Sequence, residues 1–153
     1  MLETETKERY RKAFEQARPN GRGAGWFDNL REEGMASFQA LGFPTRRNEE
    51  WKYTNVEPIT SQSFIQADGS APGADPGDLF ARSFVDKDSP CMVFVNGVYA
   101  PKSSNLGSLP NGVKVRSLAE AVGDDDAAIA ADLGHYAEHR SHAFTALNTA
   151  FMI

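Results

Sequence analysis

Trp26-Phe27-Asp28-Asn29-Leu30-Arg31-Glu32-Glu33-Gly34-Met35-Ala36-Ser37-Phe38-Gln39-Ala40-Leu41-Gly42-Phe43-Pro44 is the most sharply bounded helical stretch of the chain. Trp26, Phe27, Leu30, Phe38 and Leu41 fall near a 3.6-residue repeat, while Asp28, Arg31, Glu32, Glu33 and Gln39 fill the wet face. Gly34 weakens the helix locally, since glycine loses more backbone freedom than any other residue on ordering. The end is marked three times over. Gly42 supplies a left-handed C-cap, Phe43 can fold back on the last turn, and Pro44 forbids continuation.

Upstream, residues 3–17 read as a second amphipathic helix. Thr6, Tyr10, Ala13, Phe14 and Ala17 share one face, with Glu3, Lys7, Glu8, Arg11 and Glu15 on the other. Arg18-Pro19-Asn20-Gly21 stops it, because proline lacks the backbone donor and Asn-Gly tolerates the left-handed conformation of a reversal. Downstream, Asn48 is placed to cap a short helix whose first turn holds Glu49 and Glu50, both favourable at the positive end of the helix dipole. Trp51 and Tyr53 follow. After Pro58 the period is lost, and residues 69–77, Gly-Ser-Ala-Pro-Gly-Ala-Asp-Pro-Gly, form a linker with nothing to bury.

Beyond the linker the texture changes to strands. Cys91-Met92-Val93-Phe94-Val95, Asn96-Gly97 and Val98-Tyr99-Ala100 predict a hairpin, and Val113-Lys114-Val115-Arg116 a third strand. Ser117 with Glu120 forms a capping box for a helix over 118–122, ended by Gly123. Asp124 to Asp126 start another helix that reaches Leu133 and Gly134, and Phe144, Leu147 and Phe151 predict a last helix or strand from near Ser141. The expected architecture is α+β. A helical N-terminal subdomain (1–68) is built around Phe14, Trp26, Phe27, Leu30, Phe38 and Trp51; the linker (69–77) joins it to a small β-sheet with flanking helices (78–153). The close at Phe151-Met152-Ile153, without a polar tail, reads as a truncated end.

Composition narrows the function. The 153 residues are 41% hydrophobic and 24% charged, as in a folded globular protein. A net charge of −5 argues against a phosphate-backbone partner, and the main basic cluster outside the first helix, Arg46, Arg47 and Lys52, is interleaved with Glu49 and Glu50. No nucleic acid is expected as a partner, and no membrane, since no segment approaches the ~20 apolar residues of a span. The single cysteine, Cys91, rules out an internal disulfide and fits a reducing, cytoplasmic compartment.

The segment from Leu41 through Gly42-Phe43-Pro44-Thr45-Arg46-Arg47-Asn48-Glu49-Glu50-Trp51-Lys52-Tyr53 to Thr54 resembles the signature that SufD-family proteins, and more loosely their SufB relatives, carry near the N-terminus. Val93-Phe94-Val95-Asn96-Gly97, Leu109-Pro110-Asn111-Gly112-Val113 and Ser117-Leu118-Ala119-Glu120-Ala121 resemble the next family segment, and Phe144-Thr145-Ala146-Leu147-Asn148-Thr149-Ala150-Phe151 a third. The resemblance implies a non-catalytic scaffold subunit of the SufB-SufC-SufD complex for iron-sulfur cluster assembly, with SufB and SufC as partners in the full-length context. In the family a parallel β-helix and a SufC-docking helical region follow; neither is encoded in these residues. The residues that handle iron or cluster in that complex lie beyond this segment, so no catalytic, cofactor-binding or metal residue is carried over. The cluster belongs to the parent complex, and the segment by itself is expected to hold no cofactor. Self-association in place of a lost partner is a further expectation.

Four features invite a chemical reading. Arg46, Arg47, Trp51 and Tyr53 form a candidate interaction patch, because arginine and aromatics dominate interface hot spots. The plainer reading makes Trp51 and Tyr53 core, with Arg47 covering an aromatic face. His135, His139 and His142, spaced i, i+4 and i+7, would line one side of a continuous helix and bind metal, but Gly134 and the polar context favour solvated imidazoles. Cys91 could accept a persulfide, although a cysteine that opens an apolar strand is more often a small packed residue. The run Asp124 to Asp126 reads as a solvated cap. Nucleophile-elbow, Walker, dinucleotide and paired Cys-x-x-Cys patterns are missing, so intrinsic catalysis is not expected. Two other classes remain open: a stand-alone α+β interaction module and a histidine-based metal-binding domain.

Overall fold

The computed structural model describes residues 2–17, 25–65, 84, 86, 89–95, 97–124 and 127–152. In chain order these form α1 (Leu2–Gln16), α2 (Gly25–Leu41), a 3-10 turn (Glu49–Trp51), α3 (Glu57–Thr60), β1 (Phe94–Val95), β2 (Val98–Tyr99), a second 3-10 turn (Pro101–Ser103), α4 (Leu118–Gly123), α5 (Ala127–Asp132) and α6 (Ala143–Ala150). The described residues are mostly helical. They divide into two compact units: Met1–Ile65 with Leu118–Ile153, and Gln66–Ser117.

In the first unit α2 is central, and its main partner is α6. Phe14 of α1, Met35 and Phe38 of α2, and Ala146 and Ala150 of α6 form the buried cluster, with Tyr10, Phe43, Leu147 and Phe151 packed against it. The aromatic rings meet edge to face: Tyr10 lies 5.6 Å from Phe38 and 5.3 Å from Phe43, centroid to centroid. Such pairs add about 0.5–1.5 kcal/mol each beyond the area they bury. The end of α2 forms as the sequence requires. Gly42 adopts a φ of 67° and donates its N–H to Phe38 O at 2.8 Å, and the Phe43 ring folds back to 5.0 Å from that of Phe38.

Gly34, which weakens α2 as an isolated helix, is what lets α6 approach. A Cβ there would lie 2.8 Å from Ala150 N and 2.9 Å from Ala146 O, so any larger residue would push the helices apart. With Ala146 and Ala150 opposite, the contact is backbone against backbone and excludes water.

Arg31 departs from the expected wet face. It is 1% exposed. Its Nε donates to Ala150 O at 3.0 Å, its Nη2 to Ala17 O at 3.3 Å, and the guanidinium stands 5.3 Å from the centre of the Phe14 ring. One cation thereby answers the free C-terminal carbonyls of two helices, where the helix dipole also favours positive charge. Of the expected core, Phe14, Phe27 and Phe38 are buried, whereas Trp26, Leu30 and Trp51 are only half-buried; Met35 and Arg31 complete the interior.

In the second unit β1 and β2 pair antiparallel, Phe94 opposite Tyr99 and Val95 opposite Val98, across a turn in which Gly97 has a φ of 84°. Ala100 N–H donates to Val93 O at 2.9 Å, and a single bridge joins Cys91 to Asn105. Pro101 then stops β2, having no donor for the ladder. Among the described residues the expected small sheet with flanking helices reduces to this short hairpin. The third strand predicted at Val113–Arg116 does not form: Val113 N–H closes a turn onto Pro110 O at 3.1 Å, Gly112 takes a φ of 86°, and 113–116 has no ladder partner among the described residues.

The expected subdivision is corrected in its second half. Residues 118–153 belong with the N-terminal helices, not with the hairpin, because α6 buries its small-residue face on α2. The last element is a helix, and the helices expected from 118 and from 124 appear as α4 and α5. The 69–77 linker and the Arg18-Pro19-Asn20-Gly21 stop lie outside the described residues.

Candidate interaction surface

The segment that follows α2 is shaped by its own polar side chains. Asn48 sits at the N-cap position of the Glu49–Trp51 turn, but its side chain points back: Oδ1 accepts from Thr45 N–H at 2.9 Å and from Thr45 Oγ1 at 3.2 Å. Thr45 Oγ1 in turn accepts from Arg47 N–H at 3.2 Å. These local bonds compete with forward capping and hold 45–48 as a tight loop. Asn48 O then accepts from Trp51 N–H at 2.9 Å, and Trp51 O from Thr54 N–H at 2.9 Å, so two overlapping turns carry the chain into α3.

This geometry separates the four candidate patch residues. Arg46 and Arg47 are exposed. Trp51 is half-buried, its ring tilted over Phe144 of α6 at a centroid distance of 5.1 Å. Tyr53 is 92% exposed, with Lys52 Nζ 5.6 Å from its ring centre. The reading of Tyr53 as core is therefore wrong, and it is Lys52 that stands over the Tyr53 ring. Its place at the end of an overlapping turn, with α3 starting at Glu57, leaves no element to cover it within the described residues.

Two hollows flank Phe43 and Pro44. One, of about 520 Å³, lies between the 48–51 turn and the start of α6 and is lined by Phe43, Trp51 and Phe144 together with Glu49, Glu50 and His142. The other, of about 370 Å³, lies between α1 and the 55–61 segment and is lined by Lys7, Arg46, Val56 and Glu57 among others. Arg9 pins the far side of that segment by donating from Nη2 to Thr60 O at 3.0 Å. Exposed apolar side chains continue along the same stretch at Leu41, Ile59, Phe64 and Ile65.

The histidines do not share a helix. Gly134, at a φ of 84°, ends the α5 region, and residues 135–142 run as turns. His135 and His142 are exposed, as expected of solvated imidazoles, but His139 is 3% exposed. Neither of its ring nitrogens has a hydrogen-bond partner among the described residues; Nε2 lies 3.6 Å from Glu33 Oε2, which also accepts from Arg140 Nη2 at 2.9 Å. Sequence reasoning missed this burial, which follows from the return of the chain past α2. Among the described residues no three His, Cys, Asp or Glu side chains gather as metal ligands. Cys91 is half-buried in the hairpin unit. No helix among the described residues is long and apolar enough to cross a membrane.

The helical unit thus presents exposed Arg46, Arg47 and Tyr53 and half-buried Trp51 on the turn-rich segment after α2. Residues 4–153 match the family model for the SufBD protein N-terminal region, so the chain belongs to the SufBD family. It is 25% identical over 150 residues to the iron-sulfur cluster assembly SufBD family protein slr0076 of Synechocystis sp., covering 98% of this chain and 32% of that protein. It is 36% identical over 64 residues to the iron-sulfur cluster assembly protein SufD of Escherichia coli, covering 42% of this chain and 14% of that protein. The chain thus spans about a third of the length of the first relative and less of the second. No solved structure matches it.

Proposed function

We propose that the chain is the N-terminal part of a SufD-type subunit that acts in iron-sulfur cluster assembly as a non-catalytic, cytoplasmic scaffold with SufB and SufC as partners. The match to the family's N-terminal region over residues 4–153 carries the reading, and the names of both relatives support the process. The structure lends it support of a different kind. Exposed Arg46, Arg47 and Tyr53 and half-buried Trp51 stand on one short segment with two hollows beside it, and arginine and aromatic groups are the usual anchors of protein interfaces.

Affinity co-purification tests the proposal. The tagged full-length parent and the tagged 153-residue chain are each co-expressed with SufB and SufC of the same cell. Recovery of both partners by the parent is the expected result, and recovery by the short chain as well would place a contact within these residues. A parent chain that retains neither partner removes the scaffold role.

A further inference from the structure

We propose that the hollow between the 48–51 turn and the N-terminus of α6 receives an arginine side chain from a protein partner, an inference that rests on the interaction role just proposed. Part of the lining is aromatic. Trp51 and Phe144 lie 5.1 Å apart at an interplanar angle of 36°, and Phe43 stands 5.5 Å from Phe144, so three rings packed through Phe144 line the hollow. At about 520 Å³ the hollow lies within the ~300–1,000 Å³ span of sites that take organic groups.

Charge decides which group enters. Glu49 and Glu50 bring two carboxylates to the edge, both exposed. Against them stand the α6 N-terminus, equivalent to about half a positive charge, and His142, whose Nδ1 lies 3.6 Å from Glu50 Oε2. Two carboxylates outweigh the half charge of the helix end, so the rim is complementary to a cation. The cations of this segment do not line the hollow: Arg46 lines the second one, and Arg47 and Lys52 line neither.

Among cations, arginine fits better than lysine. A planar guanidinium stacks on aromatic faces and offers parallel N–H donors to a carboxylate, whereas an ammonium is a compact, strongly hydrated point charge. Trp51 and Phe144 would hold the plane, and Glu49 and Glu50 would accept its hydrogen bonds. This gives Glu49 and Glu50 a role other than complementing the dipole of a three-residue turn.

The test is a titration of the ¹⁵N-labelled 153-residue chain with the peptide acetyl-Gly-Arg-Gly-amide, followed at the Trp51 indole and the Ala143 to Thr145 amides. Saturable shifts confined to these groups are expected, with a Kd of about 1–10 mM, as suits one side chain. The neutral isostere citrulline in place of arginine should bind at least ~10-fold more weakly, and lysine ~3-fold more weakly. The double variant Glu49→Gln, Glu50→Gln should lose about 10-fold while keeping its helical circular dichroism. Equal binding of the citrulline or lysine peptide, unchanged binding by the double variant, or no saturable shift overturns the inference. If the parent still recovers SufB and SufC in that event, only the arginine pocket is lost; if the parent recovers neither while the pocket binds arginine, the scaffold reading falls and the pocket stands.

Discussion

The two compact units are stabilised on different scales. Among the described residues of the helical unit many apolar side chains are buried, Phe14, Phe27, Met35 and Phe38 among them. In the hairpin unit no described residue is buried, and the ladder is two residues long on each strand. A short two-stranded ribbon is marginal in water by itself, because it pays for chain ordering without a closed apolar face. The difference teaches that periodicity is a sound guide to where a core forms, whereas a good turn signal such as Asn96-Gly97 specifies only a reversal. The helical unit also combines segments from both ends of the chain, so its stability depends on contacts such as Arg31 with Ala150, distant in sequence.

The comparison can be broken or sharpened by substitution, read as urea unfolding followed by helical circular dichroism. Phe38→Ala should have the largest effect, a loss of about 3–5 kcal/mol from removal of a fully buried ring at the centre of the cluster. Arg31→Met should cost about 2–3 kcal/mol, since it preserves bulk but leaves the Ala150 and Ala17 carbonyls without their charged donor. Should Arg31→Met prove neutral, the cross-tie between helix ends would be replaceable by packing alone.

Gly34→Ala should cost about 1–3 kcal/mol from overpacking against α6, although the same change in an isolated helix is favourable by ~1 kcal/mol. A stabilised variant would show that α6 can shift without loss. Tyr99→Ala in the hairpin removes a cross-strand pair with Phe94, whose ring is 5.7 Å away. It should cost the ribbon no more than ~1 kcal/mol and leave the helical transition where it was. A shift as large as that of Phe38→Ala would mean that the two units unfold as one. Amide exchange gives the same contrast without mutation: the α2 amides should be the slowest, and those of 93–100 should exchange through local opening.

Much of the helical unit was legible in advance. The limits of α1 and α2, the Gly42 cap and the return of Phe43 all follow from interactions within four or five residues, which local sequence encodes directly. The candidate surface was half legible. Arg46, Arg47, Trp51 and Tyr53 were marked by residue type, but which were covered depended on Phe144, more than ninety positions away in the chain. The same distance hid the burial of His139 and the hollow around Trp51.

By itself, then, the sequence determined α1, α2, the Gly42 cap and the family resemblance, because each rests on adjacent residues, whereas α3 and the backward turn of the Asn48 side chain went unread. Tertiary structure alone decided that Arg31 is interior, that Gly34 is a contact surface and not a defect, that 118–152 completes the first unit, and that 113–116 is not a strand. Each of these depends on which remote segment supplies the missing carbonyl, surface or strand partner. A local pattern can state the need for such a partner but not its source.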